Sequence, residues 1–552
     1  IDPAGLPDLA GSIGATSTIQ LIGLADGKRY PIQVTFQEQA GVYGAPDLIA
    51  AVPLQGVPLS PGTYAAVITT DLHDAGGAPL DAATSGELDR WSAQLDALAQ
   101  AGITREHIAG LTVFTTGNAT SALAQARVAA LAQPLPQPTA FTRTDLFTDF
   151  CAYHATIDMP DYQSGTPPFD GTGGTWQLDA NGAPMIQRTE TANLVVTLPR
   201  TPPPADGYPI VVFVRTGGGG DRPLVDRGQE TTHGGPPLEP GEGPARYLAR
   251  AGFAGIEVDG PLGGLRNTTN GDEQFLTFNV TNLGAMRDNI RESALELQIL
   301  AHVAVGLHMN ATDCPAAGTT DPGSANVGFD AAHVAIMGHS MGAWIAPLAA
   351  ADEPLFRAMI LSGAGGSWIE NIMWKTKPTP VYPVIAAFLH ESDLRADDPV
   401  LGLSQWALES ADPQVYTQAF IARGGHVLME QGIVDDYILP NIANATSLSF
   451  GLDLAGTELD TENDPRLADQ RPLGPQLALV GRRAIALPAS ANHGASTAVV
   501  VQHLEDGIED GHEVLFQTDA PKHQYQCFLR SWIAKGKPIV DVDAARDAPC
   551  PP

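Results

Sequence analysis

Lysine is scarce, with six in 552 residues. Thirty Lys+Arg stand against 62 Asp+Glu, a formal net charge of −32. A phosphate-binding surface needs clustered cations, so nucleic acid is excluded as a partner, and an anionic membrane surface is disfavoured for the same reason. Long apolar runs are missing too. None approaches the ~18–20 residues that span a bilayer; Pro209–Val214 is typical of the longest and reads as a buried strand. Only four cysteines occur, Cys151, Cys314, Cys527 and Cys550, and none makes a C-x-x-C pair, which argues against structural zinc. Their even number suggests disulfides. Pairing Cys527 with Cys550 would pin the C-terminal tail and leave Cys151 with Cys314; four buried thiols is the other reading. The first residue is Ile1, and no basic stretch followed by an apolar one opens the chain. The expectation is a processed, exported protein, secreted or held at the cell surface or in the periplasm.

The composition, 43% hydrophobic and 17% charged, supports a folded core. Residues 1–135 read as a separate module. Short strand-like runs at Thr18–Leu24, Tyr30–Gln37, Leu48–Leu54 and Thr63–Asp71 are divided by turn signals such as Asp26-Gly27 and Pro61-Gly62. Regularly spaced short strands suggest a small β-sandwich. A helix over Ser85–Gln100 interrupts it, with Leu88, Trp91, Leu95 and Leu98 at helical spacing. The Pro-rich stretch from Gln133 is the domain boundary.

Residues 136–552 form the second domain. After a Gly/Pro-rich approach the pattern alternates. Strands are expected at Asn193–Leu198, Tyr208–Val214, Gly255–Val258, His333–Met337, Phe356–Ser362, His426–Glu430, Ala498–Gln502 and Glu513–Gln517. Helices are expected at Pro244–Ala251, Leu283–Val305, Met341–Ala351 and Gln524–Lys535. Alternation of this kind gives an α/β domain, a mostly parallel sheet with helices on both faces. Two insertions, about 366–425 and 448–494, interrupt it.

The informative stretch is His333-Val-Ala-Ile-Met-Gly338-His339-Ser340-Met341-Gly342: an apolar strand, then Gly-x-Ser-x-Gly, then a helix. So tight a strand-to-helix turn needs small residues two before and two after the serine. It puts the Ser340 hydroxyl at the carboxyl edge of the sheet and at a helix N-terminus. On this elbow and the order of the following elements, the second domain resembles the α/β-hydrolase superfamily, in its serine esterase and lipase branch. More weakly, the stretch with Pro61-Gly-Thr-Tyr-Ala-Ala-Val and Asp74-Ala-Gly-Gly makes the whole chain similar to large exported bacterial esterases and lipases with an Ig-like front domain.

The resemblance implies an order of Ser, acid, His and an oxyanion hole. One oxyanion donor should be the Met341 N–H. The other should come from the loop Thr216-Gly217-Gly218-Gly219-Gly220 after the strand Tyr208–Val214, with Gly217 and Gly218 favoured. The family's His-Gly at the start of this loop is Arg215-Thr216 here. For the acid, Gly432-x-x-Asp435 after a strand, with Pro440 shortly after, points to Asp435, with Asp436 next. For the base, the loop after the expected last strand points to His523; His493 and His503 are alternatives, and His512, just before that strand, reads as structural. The first insertion carries Trp368, Trp374, Tyr382 and Phe388, which suit either a lid and acyl pocket or core packing. His339 and Trp344 beside the serine, with Trp368 and Trp374, are the candidate substrate-binding side chains. Between Val258 and Arg291 lies a polar stretch with Arg266, Asn279, Asn282, Arg287 and Asp288, read as capping and ion pairing. The expected chemistry is hydrolysis of a carboxylic ester, small-molecule, lipid or polymer, with no cofactor and no metal. Amide, thioester or polyester hydrolysis is the alternative, and a non-catalytic binding protein on the same scaffold a further one.

Overall fold

The computed structural model describes residues 1–39, 41–217, 220, 222–318, 326–461 and 464–551. The chain packs as two compact units. One comprises Ile1–Ala119, Ser367–Glu409 and Ala478–Gly481; the other comprises Thr120–Gly366, Ser410–Leu477 and Arg482–Pro552. The insertion read at 366–425 is therefore divided, its first two-thirds lying with the N-terminal residues.

In the first unit β1 (Ile19–Gly23), β2 (Arg29–Tyr30), β3 (Ile32–Gln37), β4 (Leu48–Pro53), β5 (Gly62–Thr69) and β6 (Ile108–Thr116) form two antiparallel sheets. The larger has the order β2-β1-β5-β6, and β3 pairs β4 alone. The alternating apolar residues of β1 and β5 bury Ile22, Ala65 and Val67 against Leu88 and Leu98 of the helical stretch. The Ser367–Glu409 segment has a core of its own, Ile369, Ala386, Leu394 and Leu401, against which Val52 of β4 packs. Polar ties reinforce it: Ser367 Oγ donates to Gln55 Oε1 (2.7 Å), and the Val42 N–H donates to Glu391 Oε2 (2.6 Å). Trp368 is 7% exposed, and its indole N–H donates to Leu408 O (3.1 Å). Its role is packing within this unit.

The second unit is built on an eleven-stranded sheet. Its strands are β7 (Thr142–Leu146), β8 (Phe150–Asp161), β9 (Arg188–Pro199), β10 (Tyr208–Val214), β11 (Ala254–Val258), β14 (Phe329–His339), β15 (Phe356–Ser362), β16 (His426–Ile433), β17 (Asp453–Ala455), β18 (Ala484–Ile485) and β19 (Ala498–Leu504); β12 (Met309–Asn310) and β13 (Asn326–Val327) pair separately. The sheet order is β18-β17-β19-β16-β15-β14-β10-β11-β9-β8-β7. Pairs from β18 to β11 are parallel; β11 to β9, β9 to β8 and β8 to β7 are antiparallel. The stretch from Cys151, expected to be a Gly/Pro-rich approach, thus opens with a long strand, Phe150–Asp161, whose buried positions are Phe150, Cys151, Ala152, Tyr153, Ala155, Ile157, Met159 and Asp161. The 448–494 insertion supplies β17 and β18, which extend the sheet.

Alternation along the central strands decides the two layers. Val211, Phe213, Ala335, Met337, Ala358 and Ile360 meet the helix Pro244–Arg250 and the C-terminal helix Asp519–Lys535. The long helix Leu283–Gly306 and the helix Met341–Ala351 pack against β14 and β10, and against each other. Disulfides join Cys151 to Cys314 and Cys527 to Cys550. No helix among the described residues is long and apolar enough to cross a membrane.

Candidate active site

Ser340 sits between β14 and the helix Met341–Ala351 with φ 54° and ψ −120°. A serine at positive φ stores backbone strain, which the surroundings must hold. They do so through closeness. A Cβ on Gly338 would lie 2.4 Å from Gly342 O, and one on Gly342 would lie 2.6 Å from Val214 O. The Ser340 N–H donates to Ser362 O at 2.9 Å, and the Trp344 N–H donates to Ser340 O at 3.1 Å. Both glycines of the motif are therefore steric requirements of the turn.

Asp435 lies just past the end of β16. Asp435 is 1% exposed. Its Oδ1 accepts the N–H groups of Tyr437 (2.8 Å) and Ile438 (2.7 Å), and its Oδ2 lies 2.8 Å from His512 Nδ1. The segment carrying His512 is held there by backbone: the Gly511 N–H donates to Val434 O (2.7 Å). A Cβ on Gly432 would fall 1.7 Å from Gly511 O, so only glycine lets the two chains cross so closely. Tyr437 stacks on the His512 ring (centroids 4.5 Å, planes 21° apart), and His339 also packs against that ring at 4.7 Å. The ring lies beside the serine turn, because a Cβ on Gly363, next to Ser362, would stand 2.8 Å from His512 Cε1.

His523 does not meet Asp435. It lies in the helix Asp519–Lys535, fully buried, with Nε2 3.0 Å from Asp541 Oδ2 and its ring beside the Cys527 sulfur. The physical reason is local. The run Glu513–Gln517, expected to be the last strand, is helical instead: a 3-10 turn Gly511–Glu513, capped by Asp510, whose Oδ1 accepts the His512 N–H (2.7 Å), leads into the helix Val514–Gln517. β19 is the last strand in chain order, and the loop that follows it carries His512. A short continuous apolar run such as Val514-Leu-Phe fits strand or buried helix equally, so periodicity had no power here. The available signal was Asp510-Gly511-His512, a cap and a glycine before the run. His503, the other alternative, pairs with Glu430 (2.6 Å), both buried. His493 takes part in a backbone bridge with Ser496.

Burial raises the Asp435 carboxyl, but the His512 charge and hydrogen bond, with the Ile438 and Tyr437 N–H groups, outweigh it and hold the group below its ordinary value. A depressed folded value gives stability that is complete above the unfolded value and is lost as pH falls through the folded one. Asp435→Asn should therefore flatten the acid limb of a Tm-against-pH profile below about pH 4. An acid limb that overlays the wild type would remove this assignment.

The other expected residues fall as follows. Met341 opens the elbow helix and lines a cavity of about 30 Å³ with Val214, Arg215 and Glu273. Gly217 lies under Gln274, whose Cγ would be 2.0 Å from a Cβ placed there. Gly218 lies outside the described residues. Arg215, standing where the resembled family has His, gives Nη1 to Asp259 (2.5 Å) and Nε and Nη2 to Glu273 (3.0 and 2.6 Å). Trp344 donates its indole N–H to Ala411 O (2.7 Å). His339 is fully buried, and among the described residues neither of its ring nitrogens has a hydrogen-bond partner; burial, then Arg227, then His512 hold it well below the ordinary histidine value. Trp374 ends a helix of the first unit, half-buried. The polar stretch after Val258 does pair and cap: Arg266 bridges Glu190 and Glu296, Arg287 and Arg291 both reach Asp288, and Asn282 caps the long helix.

Among the described residues, two groups bring metal-capable atoms within 4.8 Å of one another, His339 with His512 and Glu513, and His523 with Cys527 and Asp541. In the first, Arg227 already bonds Glu513 (2.6 Å); in the second, the Cys527 sulfur is in a disulfide. Neither has the donor chemistry of a built site.

No protein-family model matches the chain, and no curated protein matches it. Among solved structures the chain is similar to acetyl xylan esterase 1 from a Thermoanaerobacterium species, at 12% identity and TM-score 0.38 over 71% of this chain and 90% of that one. It is similar to a glucuronoyl esterase from Teredinibacter turnerae at 13% identity and TM-score 0.34, over 78% and 83%. A glucuronoyl esterase from Solibacter usitatus is 14% identical, TM-score 0.36, over 83% and 96%. By its own strand order and its strained serine turn, the second unit of this chain has the α/β-hydrolase fold.

Proposed function

We propose that the protein is a serine carboxylic-ester hydrolase in which Ser340 is the nucleophile, His512 the general base and Asp435 the acid. The observation that carries this reading is the 2.8 Å contact of Asp435 Oδ2 with His512 Nδ1 beside a serine on a tight glycine-flanked turn. With Nδ1 committed to the acid, Nε2 is the nitrogen that takes the Ser340 proton as the hydroxyl attacks the ester carbonyl. The carboxylate holds the tautomer and stabilises the imidazolium, which then returns the proton to the departing alcohol. Water repeats the sequence on the acyl-enzyme. The Met341 N–H, at the positive end of its helix, and the Gly217 N–H are the donors offered to the oxyanion, with Gly218 the further candidate of that loop. The two disulfides support an exported protein.

The test is a p-nitrophenyl ester series from acetate to palmitate, combined with phenylmethylsulfonyl fluoride. Turnover should be lost as one sulfonyl group per chain appears on the peptide containing Ser340. The chain-length optimum then separates a short-acyl esterase from a lipase. Turnover that persists with Ser340 fully labelled, or none on any ester, overturns the reading.

A further inference from the structure

We infer that the side-chain carboxamide of Gln274 is a further donor of the oxyanion hole, so that the short helix Glu273–Thr277 forms a wall of that site. This rests on the serine-hydrolase reading and adds a catalytic residue to it.

The helix touches both oxyanion elements. On the loop side, Glu273 receives Arg215 through two nitrogens, at 2.6 and 3.0 Å, and also accepts the Gly264 N–H at 3.0 Å. One step on, Gln274 lies on Gly217: a Cβ there would stand 2.0 Å from its Cγ, 2.7 Å from its Cδ and 3.1 Å from its Nε2. The carboxamide occupies space that only a glycine leaves open. On the elbow side, Phe278, just past the helix, meets Trp344 edge-on at 6.0 Å, and Trp344 is in the first turn after Ser340. Glu273 and Thr277 share one small cavity with Met341. The register brings the two elements level, since Val214 pairs with Gly338, three residues before Gly217 and two before Ser340.

Chemistry selects the carboxamide. Arg215, which lines the same small cavity as Met341, is a cation beside the site, but Glu273 and Asp259 consume its guanidinium. Gln274 is half-buried, so it is reachable, and its N–H₂ is a neutral donor. A neutral donor bonds a carbonyl oxygen weakly and an oxyanion strongly, so its effect falls on the transition state. No proton is transferred to or from it.

The experiment compares wild type, Ser340→Ala, Gln274→Ala, Gln274→Met and Gln274→Glu on one p-nitrophenyl ester, with a phenylboronic acid as the tetrahedral analogue. Gln274→Ala should lower kcat about 100-fold, leave KM within about threefold, and weaken boronate inhibition by a factor like that on kcat. Gln274→Met keeps the packing on Gly217 and should not recover activity. Gln274→Glu should be the least active, because its carboxylate opposes the oxyanion. Wild-type kcat in Gln274→Ala, or recovery in Gln274→Met, overturns the inference while the Ser340 reading stands. Turnover that survives Ser340→Ala overturns both.

Discussion

His512→Ala should lower kcat by about 10⁴–10⁶-fold, and His523→Ala should leave it within a few-fold of wild type. The two histidines are eleven positions apart and both are buried, yet their surroundings differ in kind. His512 is held through Nδ1 by Asp435, with Tyr437 stacked on it and His339 packed against it. A ring so held keeps one tautomer and one orientation, which a general base needs. His523 faces Asp541 and a disulfide sulfur inside the C-terminal helix. Its loss opens a polar gap under the tail and should appear as a lower Tm. Measuring kcat and thermal melting on both variants separates these outcomes. An inactive His523→Ala that melts like wild type, beside an active His512→Ala, would reverse the assignment.

The largest stability effect is expected at Arg266. Its side chain is fully buried, with two nitrogens on Glu296 (2.6 and 2.7 Å) and Nε on Glu190 (2.8 Å). Glu296 is itself only 1% exposed. Arg266→Met keeps most of the volume and removes the charge, leaving the buried Glu296 without its cation while Glu190 keeps Arg188 (2.9 Å). Breaking a buried pair from one side costs about 3–5 kcal/mol. The defect should depend on pH. Burial already raises the Glu296 carboxyl, and Arg266 is what opposes that rise. Without Arg266 the folded value climbs further above the unfolded one, so stability is retained at low pH and lost as pH rises through the folded value. Urea unfolding at pH 8 and at pH 5.5 should show a larger deficit at the higher pH. Equal deficits would mean that lost packing, not charge, dominates.

Legibility in the sequence followed the range of the interaction. The elbow is a local device: its two glycines, serine and helix lie within a few residues, and the steric contacts of Gly338 and Gly342 enforce that pattern. Tyr208–Val214, Met341–Ala351 and Phe356–Ser362 match their expected bounds, because buried parallel strands and a buried helix are uniformly apolar runs with clear ends. Glu513–Gln517 forms helix instead of strand for the converse reason: the three apolar residues Val514-Leu515-Phe516 carry no period. The strands β7 and β8 are not legible, and β9 is legible only in its second half (Asn193–Leu198), because Gly- and Pro-rich loops surround them and dilute their alternation.

By itself the sequence determined what neighbours along the chain can enforce: an α/β pattern, a serine on a tight turn, a carboxylate after a later strand, and a strongly acidic composition. Only the tertiary structure decided which histidine meets Asp435, because that depends on Gly432 and Gly511 crossing at backbone distance, 79 residues apart in sequence. It also decided that Trp368 packs inside the first unit and that Gln274 rests on Gly217. Each of these is a contact between segments remote in sequence. Periodicity is blind to them, and close packing between remote segments settles them.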